Sequence, residues 1–123
     1  MKKILIIEDV DDIRENASEL LELNDFEVLT AHSGEEGLNT LKNNPVDLIL
    51  CDIVMPGMNG YKVLEEIRKN TDLAKIPFVY MSASVQENEK REALSMGIDG
   101  FIQKPFFEED MLKVIKSALN KEH

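Results

Sequence analysis

The sequence of 123 residues contains a single cysteine, Cys51, and therefore lacks the groups needed for sulfur-based cross-links or metal sites. One cysteine cannot form an internal disulfide, and no Cys-x-x-Cys pair or Cys/His set with metal-ligand spacing occurs. These absences argue against a disulfide scaffold and a zinc site, and they favour a reducing compartment. Because Cys51 lies inside an apolar run, we predict a buried and inert thiol there.

Positive charge is also scarce, since 14 lysines and arginines stand against 24 aspartates and glutamates, for a net charge of −10. Every phosphate contact in nucleic-acid binding needs a cationic side chain, so this balance argues against direct binding to nucleic acid or to an anionic membrane. No apolar run approaches the length of a membrane span, and residues 4–7 are too short for the core of a signal peptide. We therefore expect a cytoplasmic protein without a membrane segment.

Short apolar runs alternate with stretches of helical periodicity along the whole chain. The runs are mostly unbroken and contain β-branched residues, which is typical of parallel strands covered on both faces. They predict strands at residues 4–7, 26–30, 48–51, 78–81 and 100–102. Because parallel crossovers are right-handed, the five βα units predict one α/β domain over residues 1–123, with an open, doubly wound sheet and helices on both faces.

Two serines precede a glutamate by three residues, a spacing typical of helix N-termini. The two pairs are Ser33 with Glu36, and Ser84 with Glu87. We expect each hydroxyl to accept a hydrogen bond from the later N–H group, and each carboxylate to accept one from the serine N–H. His32 and His123 have no carboxylate or thiol at a useful spacing, so we expect both at the surface.

Polar residues follow the carboxyl ends of the predicted strands, where an open α/β sheet binds its ligands. Glu8 and Asp9 follow the first run, Asp52 the third, Ser82 the fourth and Lys104 the last. Three carboxylates at one edge repel one another by roughly 1 to 4 kcal/mol per pair at about 4 Å, so we expect a cation among them. Carboxylates without histidine or cysteine favour a hard divalent ion such as Mg²⁺. With an ammonium and a hydroxyl nearby, the set predicts phosphoryl transfer to an aspartate.

The loop after the first run argues against the common ligands of doubly wound folds. A dinucleotide or flavin phosphate needs glycine-rich or threonine-rich backbone with free N–H groups, whereas residues 8–12 read EDVDD and would repel an anion. A Gly-x-Ser-x-Gly elbow, which serves hydrolases of α/β class, is also absent.

Four motifs occur together in a characteristic order and spacing. They are the acidic pair Glu8-Asp9, the segment 52–60 (DIVMPGMNG), the step Ser82-Ala83, and the segment 101–106 (FIQKPF). In this order they closely resemble the receiver domain of response regulators in two-component signalling, the CheY-like superfamily, over essentially the whole chain. The resemblance implies a single flavodoxin-like (βα)5 domain whose five-stranded parallel sheet has the order 2-1-3-4-5.

The resemblance also implies a metal-dependent phosphoacceptor. Asp52 would take a phosphoryl group from a phosphohistidine on a sensor histidine kinase or a phosphotransfer protein. Asp9, Asp52 and the backbone carbonyl of Val54 would bind Mg²⁺ directly, and Glu8 would bind it through water. Glu8 stands where aspartate is common in the family, which lengthens the arm by one methylene.

A catalytic pair and a conformational switch are implied in the same way. Ser82 and Lys104 would bind the phosphoryl oxygens, and the peptide bond between Lys104 and Pro105 is expected to be cis, which would aim the ammonium into the site. On phosphorylation the Ser82 hydroxyl would move toward the phosphoryl group, and the ring of Phe101 would turn into the vacated space. The surface of the fourth helix, last strand and last helix would then change. Phe101 replaces the frequent tyrosine and lacks its hydroxyl.

Other expectations concern signal lifetime and partners. Val54 and Ser84 lie two residues after Asp52 and Ser82, and because Val54 cannot orient water we predict slow self-dephosphorylation, over minutes or longer. The message would pass to an effector protein or to an output domain outside this sequence, and the chain would be a monomer or a phosphorylation-dependent homodimer. The first helix, residues 11–23, is the expected docking site for the kinase.

Two alternatives were weighed against this interpretation. An aspartyl-phosphate phosphatase of the haloacid dehalogenase kind would carry an Asp-x-Asp motif after the first strand and a cap, and neither occurs here. A degenerate receiver that acts only as a constitutive binding module would lack an acid, the lysine or the acceptor, and all are present. We therefore expect a protein that modifies its own Asp52 and is not a turnover enzyme.

Overall fold

A computed structural model describes residues 1–83 and 87–120, and within them five strands alternate with five helices. The strands are β1 (Lys3–Ile7), β2 (Glu27–Ala31), β3 (Leu48–Asp52), β4 (Phe78–Ser82) and β5 (Gly100–Gln103). The helices are α1 (Asp11–Leu23), α2 (Gly34–Asn43), α3 (Gly60–Lys69), α4 (Glu87–Ser95) and α5 (Glu108–Leu119).

All strand pairs in the sheet are parallel, and the strand order is β2-β1-β3-β4-β5. This confirms the predicted order and the predicted α/β class. The order reverses between β1 and β3, because β2 pairs on one side of β1 and β3 on the other. Residues that follow β1 and β3 are therefore adjacent at the carboxyl edge of the sheet, where ligands bind in folds of this type.

Two hydrophobic clusters cover the two faces of the sheet. Leu5 and Ile7 of β1 pack in the cluster that includes α2 and α3, while Ile4 and Ile6 pack in the cluster that includes α1 and α5. This alternation is what the two-residue period of a strand requires when both faces are buried. The expected burial is less complete in β2, where only Ala31 is buried, because that strand pairs on one side only.

Two of the polar residues predicted to follow strands, Asp52 and Ser82, belong to β3 and β4, which is a correction to the predicted boundaries. Asp52 pairs with Met81, and Ser82 pairs with Gln103, so the ladder continues one residue beyond each apolar run. Phe26 instead precedes β2, because its N–H group donates to the carbonyl of Leu21 and closes the turn after α1.

The helix start at Ser33 confirms half of the expected capping box. The Ser33 hydroxyl accepts a hydrogen bond of 3.1 Å from the N–H group of Glu36, but the Glu36 carboxylate accepts one from the N–H group of His32 rather than from Ser33. Glu36 also contacts the ring of His32, so the expectation that this exposed histidine lacks a carboxylate neighbour was wrong. The second box at Ser84, and also His123, lie outside the described residues.

The helices are short and amphipathic. The longest of those described, α1, has 13 residues and buries Ala17 and Leu21 against the sheet. Nowhere in residues 1–83 or 87–120 is a helix both long and apolar enough to cross a membrane.

Candidate functional site

Three acidic side chains meet at the carboxyl edge of the sheet. Glu8 and Asp9 follow β1, and Asp52 ends the neighbouring strand β3. Each offers a carboxylate oxygen within 4.8 Å of the others. Glu8 is fully buried and Asp52 is 5% exposed, so little solvent screens their mutual repulsion. The acidic cluster predicted from the sequence is therefore present.

Lys104 supplies positive charge to this cluster from the loop after β5. Its ammonium contacts the carboxylate of Glu8 and lies 3.2 Å from Oδ1 of Asp52. The backbone N–H group of Lys104 donates a hydrogen bond of 2.8 Å to the carbonyl of Ser82, which holds the loop against β4. The peptide bond between Lys104 and Pro105 is cis, as predicted.

The charges in the cluster perturb one another. Burial raises the pKa of Glu8 to about 7, although the hydrogen bond from Lys104 opposes the rise. Burial alone would lower the pKa of Lys104, but its hydrogen bond to Glu8 and the charges of Glu8 and Asp52 raise the pKa above its usual value. The ammonium therefore stays charged, and once Glu8 is ionised, above about pH 7, the three carboxylates exceed the charge of Lys104.

An unpartnered oxygen, in addition to the negative charge, indicates that the acidic cluster suits a hard divalent cation. In the part of the chain that the structure describes, Oδ1 of Asp9 is a buried side-chain oxygen with no hydrogen-bond partner. A buried carboxylate oxygen costs free energy unless something binds it, and a cation among the three carboxylates would do so. Because all the side-chain donors are oxygens, the set suits Mg²⁺ better than a softer metal.

The remaining predicted residues differ in burial and position. Ser82 ends β4 beside Asp52 and is 5% exposed. Val54 follows β3 by two residues and is 77% exposed. Phe101 lies in β5 as the register partner of Tyr80, half-buried, with its ring edge-on to that tyrosine at 6.0 Å between centroids.

Cys51 is fully buried, as predicted. Burial raises the pKa of its thiol well above the usual value, and the nearby charges of Asp52 and Glu8 act in the same direction. The thiolate form is therefore disfavoured, which supports the interpretation of an inert side chain.

Sequence reasoning missed two residues that support the site. A nitrogen of the Arg14 guanidinium donates 2.9 Å to the carbonyl of Glu8, and the same side chain pairs with Asp11 three residues earlier. That spacing on one helix face was the available signal. The Tyr80 hydroxyl donates 2.9 Å to the carbonyl of Gly60, a contact that gave no sequence signal because Tyr80 lies within an apolar run.

Comparison with known proteins agrees with this geometry. The family described as response regulator receiver domain matches residues 4–116. The response regulator SaeR of Staphylococcus aureus is 32% identical over 121 residues, which cover 98% of this chain and 52% of that protein. The chain thus spans about half the length of such curated relatives.

Solved structures give the same result. The chemotaxis protein CheY4 of Vibrio cholerae has a TM-score of 0.91 and 29% identity, with 96% of this chain and 98% of that chain covered. A response regulator receiver domain protein from Clostridium thermocellum has a TM-score of 0.88 and 32% identity, with 98% and 95% covered. The chain belongs to the response regulator receiver domain family.

Proposed function

We propose that this receiver domain accepts a phosphoryl group on Asp52 from a phosphohistidine, in a reaction that depends on Mg²⁺. The observation that carries the proposal is the arrangement of charge at the site. The Lys104 ammonium touches two of three clustered carboxylates, and the third, Asp9, keeps a buried oxygen without a partner among the described residues. The negative charge of such a site is not fully neutralised, so the site suits the binding of a cation.

The chemistry follows from the groups present. An oxygen of the Asp52 carboxylate attacks phosphorus, the new O–P bond forms, and the N–P bond to the donor imidazole breaks. The departing nitrogen keeps the electron pair and takes a proton, while the acyl phosphate remains on Asp52. Lys104 and the Ser82 hydroxyl would bind the phosphoryl oxygens, where negative charge accumulates.

Mg²⁺, when bound, neutralises charge on the carboxylates and the phosphoryl group. The side chains of Asp9 and Asp52 with the carbonyl of Val54 would hold the ion directly, and Glu8 would hold it through water. Removal of Mg²⁺ should therefore abolish the modification while the fold persists.

The chain would act once on itself rather than as a turnover enzyme. No polar atom of the exposed Val54 side chain can orient an attacking water, so we expect the acyl phosphate to persist for minutes or longer. Phosphorylation would move Ser82 and the ring of Phe101, and the surface formed by α4, β5 and α5 would carry the signal to an effector or to an output domain.

We also propose a cytoplasmic location and a kinase or phosphotransfer partner that docks beside α1. A groove of about 440 Å³ adjoins Lys104 there, and its lining includes Ile13, Ala83, Pro105 and Phe106. An apolar groove next to the acceptor suits a protein surface that must bring a phosphohistidine to Asp52. Whether phosphorylation also produces a homodimer is measured by light scattering with and without beryllofluoride.

Intact mass spectrometry tests the proposal directly. The wild-type protein is incubated with acetyl phosphate, with and without Mg²⁺, beside Asp52→Asn. We expect one base-labile phosphoryl group in the wild type, no adduct without Mg²⁺ and none in the variant. The matched control is Asp72→Asn, which removes an exposed carboxylate before β4 and should leave the adduct unchanged.

Absence of any wild-type adduct, together with no stabilisation by Mg²⁺, would contradict the proposal and favour a constitutive binding module. Sustained hydrolysis of a phosphate ester would favour an enzyme instead.

A further inference from the structure

Tyr80 is a buried polar residue that the phosphoryl-transfer chemistry does not use. It lies in β4, two residues before Ser82, and it is fully buried. Its hydroxyl donates a hydrogen bond of 2.9 Å to the carbonyl of Gly60. A buried tyrosine normally needs such a partner, and the bond therefore specifies where the ring lies.

The hydrogen bond connects Tyr80 to the segment that follows the proposed phosphoacceptor. Gly60 begins α3, and its N–H group donates 2.8 Å to the carbonyl of Ile53. A Cβ atom on Gly60 would lie 2.5 Å from the carbonyl oxygen of Asp52 and 3.1 Å from Cε1 of Tyr80. The Gly60 backbone is therefore packed between Asp52 and the Tyr80 ring, with no room for a side chain.

The Tyr80 ring also contacts Phe101. The two residues are register partners on adjacent strands, and their rings meet edge-on with centroids 6.0 Å apart. Tyr61 and Phe78 also pack edge-on against Tyr80, at 5.6 and 5.1 Å. A ring held by three aromatic neighbours and one hydrogen bond forms a rigid boundary in a close-packed core.

We propose that Tyr80 is a positioning residue for the conformational switch: its hydroxyl bond to Gly60 fixes one wall of the space that the Phe101 ring enters. The inference rests on the proposed function and goes beyond it, because it adds a connection between Asp52 and Phe101 that does not pass through Ser82. The path consists of the Asp52 backbone, Gly60, the Tyr80 ring and the Phe101 ring.

The physical basis is bistability. A side chain switches between two discrete positions only when the surrounding wall is rigid. Tyr80→Phe keeps the ring but removes the bond that immobilises it, and it leaves the Gly60 carbonyl without that donor. The inward position of Phe101 then becomes less well defined, so phosphoryl mimicry at Asp52 should shift its population less.

Fluorine NMR of the Phe101 ring tests this role. Para-fluorophenylalanine is introduced at position 101 alone, by suppression of a stop codon placed there, so that Tyr80→Phe carries no second fluorinated ring. Spectra are recorded with Mg²⁺ and then with added beryllofluoride, for wild type, Tyr80→Phe and Tyr80→Leu. The control is Ile4→Val, which trims the core on the other face of the sheet, at the end of β1 remote from the site.

We expect beryllofluoride to shift the Phe101 signal in wild type and in Ile4→Val. In Tyr80→Phe the shift should fall to less than about half, and by linkage the affinity for beryllofluoride should weaken at least about threefold while that for Mg²⁺ stays within about twofold. Tyr80→Leu should respond less still. A merely structural role would lower the melting temperature of Tyr80→Phe, as in Ile4→Val, and would leave both readouts unchanged.

The outcomes separate the two proposals. If wild type responds and Tyr80→Phe responds equally, with equal beryllofluoride affinity, the positioning role is overturned while the proposed function stands. If wild type binds no beryllofluoride in the presence of Mg²⁺, the proposed function fails, and the positioning role fails with it.

Discussion

Two polar clusters lie at opposite edges of the same sheet, and they differ in how their charges are balanced. At the amino edge, the Arg68 guanidinium donates to the carbonyls of Ala74, Ile76 and Gly97 and to the carboxylate of Asp99. Asp99 also accepts from the N–H group of Phe78 at 2.8 Å. One cation and one anion are matched there, and the bonds tie together the segments before β4 and before β5.

The cluster at the carboxyl edge is not balanced in this way. It holds three carboxylates against the single ammonium of Lys104, and a buried oxygen of Asp9 has no partner within the described residues. A cluster whose bonds are complete stabilises the fold, whereas an incomplete one needs a ligand. The comparison teaches that unmatched charge, rather than polarity alone, distinguishes the carboxyl edge.

The largest expected effect comes from breaking the balanced cluster. Arg68→Met removes the guanidinium that pairs with the Asp99 carboxylate and donates to three carbonyls, so the free energy of unfolding should fall by about 3–5 kcal/mol. Urea unfolding measures the loss, and the exposed Arg91→Met should change stability by less than about 0.5 kcal/mol. Mg²⁺ should stabilise Arg68→Met as much as wild type, and a lost Mg²⁺ response would show that the two edges are not independent.

The next effect concerns pH and the unbalanced cluster. Burial raises the pKa of Glu8 to about 7, so between pH 4.5 and 7 the folded protein holds a proton that the unfolded chain has lost. In that window the free energy of unfolding without Mg²⁺ should fall as pH rises, by a total on the order of 3 kcal/mol. This contribution of Glu8 is fully present below pH 4.5 and is lost as the pH rises through about 7. Urea unfolding in chelator at several pH values measures the slope, and an equal slope in Glu8→Gln would contradict the assignment.

Removing the ammonium that contacts the acidic cluster should affect the reaction. Lys104→Met takes away the charge that we propose binds the phosphoryl group, so the rate of Asp52 phosphorylation by acetyl phosphate should drop about 100-fold, or about 2.7 kcal/mol in barrier. Lys69→Met, which removes an exposed lysine paired with Glu65, is the control. Equal rates in Lys104→Met and wild type, followed by mass spectrometry, would refute this role of Lys104.

The smallest expected effect is an increase in stability. Asp9→Asn removes a carboxylate from the crowded edge, so the protein in chelator should become more stable by about 1 kcal/mol through relief of repulsion. Stabilisation by Mg²⁺ should disappear in the same variant. Thermal unfolding with and without Mg²⁺ checks both results, and undiminished stabilisation by Mg²⁺ would remove Asp9 from the ligand set.

The sequence predicted the fold well because its evidence is periodic and local. Unbroken apolar runs identified β1, β3 and β4, whose central residues are fully buried. Boundaries were less accurate at Asp52 and Ser82, since a polar residue can extend a strand when its partner on the next strand continues the ladder. The capping carboxylate of Glu36 was also misassigned, because local spacing does not reveal which N–H group lies nearest.

The site was predictable to the extent that its residues follow strand ends. Glu8, Asp9, Asp52, Ser82 and Lys104 were identified because parallel strands bring their carboxyl ends to one edge. Arg14 and Tyr80 were missed because each side chain donates to a backbone carbonyl. Every residue has a carbonyl, so the sequence does not show which one a side chain will reach.

The sequence by itself determined which groups are available: an excess of acids, a lysine at position 104 directly after the last strand, and apolar runs that build a parallel sheet. Only the tertiary structure decided how those groups are matched. Arg68 and Asp99 are 31 residues apart and neutralise each other, whereas Asp9 is left with an unpartnered oxygen in the described structure. The physical reason is that charge interactions depend on distance and burial, and both quantities exist only after the chain has folded.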